Sequence, residues 1–212
     1  YAWSWNLTMH EIAHGKADVD ALKVYYAWNE RAWQRDAMRM TFVSNHDKNA
    51  WEGTEYEQFG EALEATIVLS VVGEGMPLIY NGQEAGSDKR LEFFDKDHIL
   101  WREHEQGTLY RTLSALKKAH PALWNGAWGG RMVRVPNDAE SSVLSFVRAV
   151  DDDRVFGVFN FTAEEATFVL GDGPQPGEWL DAFTGEPITL MAGEPMTLPA
   201  WGHRVMTGAQ SA

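Results

Sequence analysis

The chain has 212 residues, of which 44% are hydrophobic and 12% aromatic, so it can bury a core and is not an intrinsically disordered chain. Its net charge of −13 argues against nucleic acid and anionic membrane as partners, because both require clustered Lys and Arg. It has no cysteine, which excludes disulfides and thiolate metal sites, and no apolar run of the roughly 18 residues that a membrane span needs.

The first half of the sequence alternates between helix and strand patterns. The predicted elements are a helix from Asp18 to about Trp33, a strand over 38–43, a helix from Thr54 to about Val72, a strand over 76–80 and a helix from Thr108 to His120. Thr54 and Glu57 have the spacing of a capping box, which marks a helix start. Strands that alternate with helices predict right-handed crossovers and a parallel sheet.

The second half of the sequence changes to short β-rich runs separated by turn residues. These runs cover 131–135, 143–150, 155–161, 166–170, 188–190, 196–198 and 203–206. Their near-regular spacing predicts an antiparallel β-sandwich of about 85 to 90 residues. The sequence therefore predicts two domains, 1–122 and 123–212.

A cluster of polar groups directly follows the first predicted strand. Phe42 and Val43 run through Ser44 into Asn45, His46 and Asp47. A parallel barrel builds its active site from such groups at the carboxyl ends of its strands, so these side chains are candidates for ligand binding. The alternative interpretation is a loop in which Asn45 and Asp47 only cap the following turn.

A second motif predicts a different chemistry. His10, Glu11 and His14 match H-E-x-x-H, which on a helix places two zinc-binding His on one face and leaves Glu as general base. Gly15 follows at once and weakens a helix, and Glu30 is the candidate for a third ligand. A zinc peptidase is therefore an alternative hypothesis.

Two segments and the β-rich tail together resemble one known family. The segment 42–47 resembles the end of the seventh barrel strand of the α-amylase family, glycoside hydrolase family 13. The segment 75–84 resembles that family's eighth strand and following loop, and the tail is similar to its C-terminal sandwich. The resemblance implies the C-terminal part of a (β/α)8 TIM barrel over 1–122, about strands 7 and 8 with their helices, and an antiparallel β-sandwich over 123–212.

The resemblance also implies roles for individual residues. Asp47 would be the catalytic carboxylate that binds ring hydroxyls and stabilises the oxocarbenium-like transition state, and His46 would donate a hydrogen bond to the same ring. Asn45 would support the loop. The remaining substrate-binding candidates are Tyr80, Asn81 and Glu84 from the next strand end, together with Trp51 as a stacking platform just past Asp47.

The predicted site is incomplete for catalysis. A retaining glycosidase needs a nucleophile and a general acid roughly 5 Å apart, and this family carries them on its fourth and fifth strands. The acids before Asp47 all lie in predicted loops or helices: Glu11, Asp18, Asp20, Glu30 and Asp36. The nucleophile and acid are therefore expected upstream of Tyr1, and the chain alone is expected to be inactive.

The expected partner is an α-glucan or an oligosaccharide, with neither nucleic acid nor a membrane. No cofactor is expected in this chain, although calcium is common in the family and would bind largely through other segments. The other hypothesis that remains open is a carbohydrate-binding or structural module without catalysis.

Overall fold

The computed structural model describes residues 1–208. Its α-helices are α1 Trp3–Ala13, α2 Val19–Ala32, α3 Glu55–Phe59, α4 Leu63–Val72 and α5 Glu105–Ala119. Its strands are β1 Met40–Phe42, β2 Met76–Leu78, β3 Val133–Arg134, β4 Val143–Val150, β5 Asp153–Asn160, β6 Ala166–Val169, β7 Gly177–Asp181, β8 Pro187–Leu190, β9 Pro195–Leu198 and β10 His203–Gly208. None of the helices in the described range has the length and apolar character needed to span a membrane.

The two strands of the first half form a parallel pair, as predicted. Met40 of β1 lies opposite Met76 of β2, and Phe42 lies opposite Leu78. Because parallel strands end at the same edge, the polar segments that follow β1 and β2 are neighbours in space.

Two of the N-caps predicted from the sequence, those of α2 and α3, are present in the structure. Asp18 caps α2 through its Oδ1, which accepts from the amide of Asp20 at 3.0 Å. Thr54 and Glu57 form both bonds of the capping box at the start of α3. The predicted single helix from Thr54 to Val72 is wrong, because Gly60 adopts a φ of +50° and a 3-10 turn separates α3 from α4.

The predicted start of the last helix is also wrong. α5 begins at Glu105 and its N-cap is His104, whose Nδ1 accepts from the amide of Gln106 at 3.2 Å. Thr108 lies inside the helix on an exposed face, and its hydroxyl accepts a hydrogen bond from Arg111. Thr108 was predicted as an N-cap because Thr is common at that position, but here it occupies a solvent-facing position inside the helix.

The second half is an antiparallel sandwich with layers of unequal size. One sheet has the order β3-β4-β5-β10-β7-β8, and the second sheet contains β6 and β9. Phe146 and Phe159 on one face of the large sheet pack against the helices, whereas Phe156 and Trp179 on the other face pack against the small sheet. This arrangement confirms the fold class, although β7 was not predicted.

One buried arginine connects the large sheet to the helical half. Arg148 of β4 is 2% exposed, and its Nη1 donates to the carbonyls of Gly73 at 2.7 Å and Val72 at 3.1 Å. Its Nε and Nη2 donate to the carbonyls of Gly130 and Trp124. The two halves are thus joined by hydrogen bonds as well as by apolar packing, and the domain boundary near residue 122 stays a prediction.

Candidate functional site

Asn45 anchors the loop that follows β1. Its side chain is buried, and its Oδ1 accepts from the amide of Lys48 at 2.8 Å. Its carbonyl accepts from the amide of Asn49 at 2.9 Å. These bonds start the π-helical turn Lys48–Glu52, so Asn45 is placed to support this loop.

His46 and Asp47 lie side by side at the end of this strand and are accessible to a ligand. Their side chains are 52% and 40% exposed, and His46 Nε2 lies 3.5 Å from Asp47 Oδ2. The His46 ring also lies near Phe93, with ring centroids 5.9 Å apart. One carboxylate and one imidazole with open faces can bind neighbouring hydroxyl groups, and their catalytic roles stay predictions.

An aromatic group extends away from His46. Phe93 lies between His46 and Trp51, and the Trp51 and Phe93 centroids are 5.2 Å apart. Phe94 completes the group at 4.8 Å from Phe93. Trp51 is 60% exposed, so its ring face is available for stacking on a sugar. The sequence selected Trp51 and placed the two phenylalanines in a loop that could reach a sugar, but it did not show that they approach Trp51.

The segment after β2 contributes Tyr80 and Asn81. Both line a small cleft together with Ser44 and Glu55. The cleft therefore lies between the ends of the two parallel strands, where Ser44 precedes the His46–Asp47 pair in the chain.

Asn49 holds the two strand-end loops together. Its Nδ2 donates to the carbonyl of Lys89 at 3.1 Å, and its Oδ1 accepts from the amide of Leu91 at 2.7 Å. Sequence reasoning did not identify this residue, since a single Asn in a loop gives no signal of its distant partners.

Glu84 is placed differently from the other candidates. Its Oε2 accepts from the amide of Gly82 at 3.0 Å, which braces the loop after β2. The side chain lines another cleft, together with Arg102 and Arg111. Glu84 therefore braces the loop after β2 and does not line the cleft of Tyr80 and Asn81.

Glu55 is a second residue of this site that the sequence did not reveal. It lies in the first turn of α3 with 3% of its surface exposed, and its Oε2 accepts from Gln83 Nε2. Its Oε1 has no hydrogen-bond partner among residues 1–208. Burial raises the pKa of Glu55 from 4.5 to about 7, against the opposing effect of the hydrogen bond from Gln83.

The H-E-x-x-H motif does not form a metal centre in the described structure. The rings of His10 and His14 lie 4.2 Å apart, and His14 Nδ1 donates to the carbonyl of His10 at 2.8 Å. Glu30, the candidate third ligand, instead accepts from Arg131 at 2.6 Å. Among residues 1–208, no group of three or more His, Cys, Asp or Glu side chains is arranged so that it could hold a metal ion. A catalytic zinc normally has three protein ligands, so the geometry argues against the zinc-peptidase alternative.

Comparison with protein families identifies the second half of the chain. Residues 133–205 match the family described as Maltogenic Amylase, C-terminal domain. This range contains strands β3 to β9 and part of β10, which is the sandwich described above.

Similarity to curated proteins extends into the first half. The chain is 24% identical over 173 residues to Alpha-amylase 2 of Dictyoglomus thermophilum, covering 76% of this chain and 28% of that protein. It is 30% identical over 130 residues to Neopullulanase 2 of Thermoactinomyces vulgaris, covering 58% of this chain and 21% of that protein. The chain thus spans less than a third of the length of these relatives.

Similarity to solved structures covers nearly the whole chain. The structure of a maltogenic α-amylase, AmyB from Thermotoga neapolitana, superposes with a TM-score of 0.81 over 99% of this chain and 50% of that chain, at 16% identity. At this identity the superposition shows the fold alone. The chain is thus similar to the C-terminal portion of proteins of the α-amylase family, glycoside hydrolase family 13, and its residues 133–205 match the C-terminal domain of maltogenic amylases.

Proposed function

We propose that this chain supplies the ring-binding part of an active site that acts on α-glucosidic bonds with retention of configuration. Asp47 stabilises the oxocarbenium-like transition state, and His46 donates a hydrogen bond to the same sugar ring. The observation that carries the proposal is the parallel register of β1 and β2, which brings the segment with His46 and Asp47 next to Tyr80 and Asn81.

The nucleophile and the general acid come from other segments of a longer protein in this proposal. Three of the acidic residues before Asp47 support it by their positions in the fold. Glu11 lies in α1, Asp18 caps α2, and Glu30 pairs with Arg131. None of the three follows a strand end, where a barrel places its catalytic groups. Any calcium ion would likewise be held by other segments.

The aromatic group beside His46 supports an oligosaccharide as the substrate. Sugar rings present C–H faces that pack on exposed aromatic rings, while their hydroxyls require hydrogen-bonding groups at the rim. Trp51 and Phe93 provide the rings, and Arg90, Glu92 and Asp95 line the same groove. The relatives named α-amylase and neopullulanase fit an α-glucan as the substrate class.

Two measurements on the 212-residue chain test this proposal together. Reducing-sugar release from an α-1,4-glucan should be absent, because the chain lacks a paired nucleophile and acid. Maltotriose should shift the NMR signals of His46, Asp47 and Tyr80. Turnover by the chain alone would contradict the assignment of the missing groups to other segments.

A carbohydrate-binding module without catalysis makes a different prediction. Maltotriose would then bind through exposed tryptophans of the second half, such as Trp128, and the signals of His46 and Asp47 would not move.

A further inference from the structure

A buried carboxyl group lies next to the cleft between the two strand ends. Glu55 lines this cleft together with Ser44, Tyr80 and Asn81, yet it is almost completely buried. Its Oε1 and the Ser44 hydroxyl both lack a hydrogen-bond partner among residues 1–208. Buried polar atoms without partners are rare and cost free energy, so their position beside a cleft requires an explanation.

The carboxyl group of Glu55 is connected to the loop after β2 through one side chain. Gln83 is buried, and its Nε2 donates to Glu55 Oε2 and to the Tyr110 hydroxyl, the latter at 2.9 Å. Gln83 Oε1 accepts from the backbone amide of Tyr80 at 2.5 Å. The amide group of Gln83 therefore has its donors and its acceptor engaged, which fixes its orientation and the backbone at Tyr80.

We infer that Glu55 is a positioning residue, whose carboxyl fixes the Gln83 amide and through it the backbone of Tyr80 and the place of Asn81 in the cleft. The link between this positioning and a sugar ligand rests on the proposed function, whereas the mechanical link from Glu55 to Tyr80 does not. Glu55 hydrogen bonds to the loop through Gln83, so it acts on any ligand indirectly.

The surroundings of Glu55 make this positioning dependent on its protonation. The titratable groups that interact with it are Tyr56 of α3 and Tyr110 of α5, and burial raises the pKa of both tyrosines, so they stay neutral near pH 7. The nearby Gln106 side chain of α5 acts to lower the pKa of Glu55, although less than burial raises it, and no Lys or Arg among residues 1–208 forms an ion pair with the carboxyl. Ionised Glu55 would leave Oε1 as a buried, unpaired anion, which drives water entry or movement of Gln83.

NMR titration of the wild-type chain tests the mechanical link without any substitution. The side-chain carboxyl carbon of Glu55 and the backbone amides of Tyr80 and Asn81 should titrate with the same midpoint, between about pH 5 and pH 9. A carboxyl that titrates while both amides stay constant would overturn the inference, and so would a carboxyl that does not titrate in this range.

Two variants test whether the pH-dependent shift of the Tyr80 amide comes from Glu55 or from another acidic residue. In Glu55→Gln the pH-dependent shift of the Tyr80 amide should disappear, whereas in Glu61→Gln, an exposed acid between α3 and α4, it should persist. A shift that persists in Glu55→Gln would overturn the inference.

Maltotriose affinity tests the functional consequence separately. The Kd of the wild-type chain should change by about 5-fold across this transition, the lower end of typical coupling between sites, while Glu55→Gln should show little pH dependence. If maltotriose binds at no pH, the proposed function fails, and the amide titration still decides whether Glu55 positions Tyr80.

Discussion

The guanidinium of Arg148 donates a hydrogen bond of 2.7 Å to the backbone carbonyl of Gly73, which joins the large sheet to the carboxyl end of α4. The last carbonyls of a helix have no partner within the helix, so Arg148 satisfies groups that would otherwise be buried and unpaired. Burial lowers the pKa of Arg148 from 12.5 to about 10, and the group therefore stays charged near pH 7. The hydrogen bond from Arg148 to Gly73 therefore joins the sandwich to the first half of the chain, which contains the residues that follow β1 and β2.

Replacing Arg148 with Met should destabilise the chain by about 3 kcal/mol or more, because carbonyls of Gly73, Val72, Gly130 and Trp124 lose their donor inside the protein. Urea denaturation measures this loss.

Arg134→Met is the matched control for this prediction. Arg134 belongs to the same sheet, but it is exposed and forms an exposed ion pair with Glu140 at 3.0 Å. Its loss should change the free energy of unfolding by less than about 0.5 kcal/mol. Equal effects of the two substitutions would contradict the account of Arg148.

Glu55 predicts a pH dependence of stability. Its folded pKa of about 7 lies above its ordinary value of 4.5, so between these values the folded state binds more protons than the unfolded state. The stabilisation by the neutral carboxyl is complete below about pH 4.5 and is lost as the pH rises through about 7. The wild type should lose about 3 kcal/mol relative to Glu55→Gln between about pH 4.5 and pH 8.

Urea denaturation of both proteins at several pH values measures this difference, and the comparison removes the contribution of groups other than Glu55. A difference that stays constant with pH would show that the folded-state pKa of Glu55 is not raised.

The capping box at α3 predicts a further loss of stability. Thr54→Ala removes the hydroxyl that accepts from the amide of Glu57, and a lost N-cap costs about 1 kcal/mol. Thr108→Ala is the control, because Thr108 lies inside α5 and Ala is the best helix former there. Thermal unfolding should show a lower Tm for the first variant and an unchanged or higher Tm for the second. The reverse order of Tm values would contradict Thr54 as the N-cap of α3 and Thr108 as an interior residue of α5.

Trp51 is predicted to be a stacking platform for sugar. Trp51→Ala should weaken maltotriose binding by about 3- to 10-fold, the equivalent of one aromatic contact. Trp128 has the same 60% exposure but lies in the turn Gly126–Trp128 of the second half, so Trp128→Ala should leave the Kd unchanged. Calorimetric titration compares the two variants, and a greater effect of Trp128→Ala would favour the binding-module hypothesis.

The sequence predicted those parts of the fold that depend on local patterns. Asp18 and Thr54 lie at real helix starts because an N-cap bond spans only two or three residues. α1 was not assigned, although Trp5, Met9 and Ile12 have helical spacing and are buried. Its N-cap is Ala2, which offers no capping side chain.

β7 was missed for a different physical reason. Gly177 starts the strand directly after Pro176, and Gly and Pro normally indicate a turn. Tertiary contacts determine this strand: Trp179 is fully buried, and its Nε1 donates to the carbonyl of Gln175 at 2.8 Å.

Among the site residues, those that are neighbours in the sequence were predicted, and those linked by contacts between distant parts of the chain were not. Asn45, His46 and Asp47 follow each other in the chain, so one motif was sufficient to select them. Glu55 hydrogen bonds to Gln83, 28 positions away, and Asn49 hydrogen bonds to Lys89, 40 positions away. The local sequence pattern does not indicate contacts of this kind. An acid in the first turn of a helix is normally explained by its favourable interaction with the helix dipole at the surface. The position of Glu55 in the sequence therefore gave no reason to expect its burial.

Binding of the sugar ring by Asp47 in the transition state is tested most directly by the rate of sugar release from an α-1,4-glucan. A longer protein that contains this chain is compared with its Asp47→Asn variant. We expect the rate to fall at least about 100-fold, or about 2.7 kcal/mol, with unchanged folding. An unchanged rate would mean that Asp47 is only a residue of the loop after β1 and does not bind the ring.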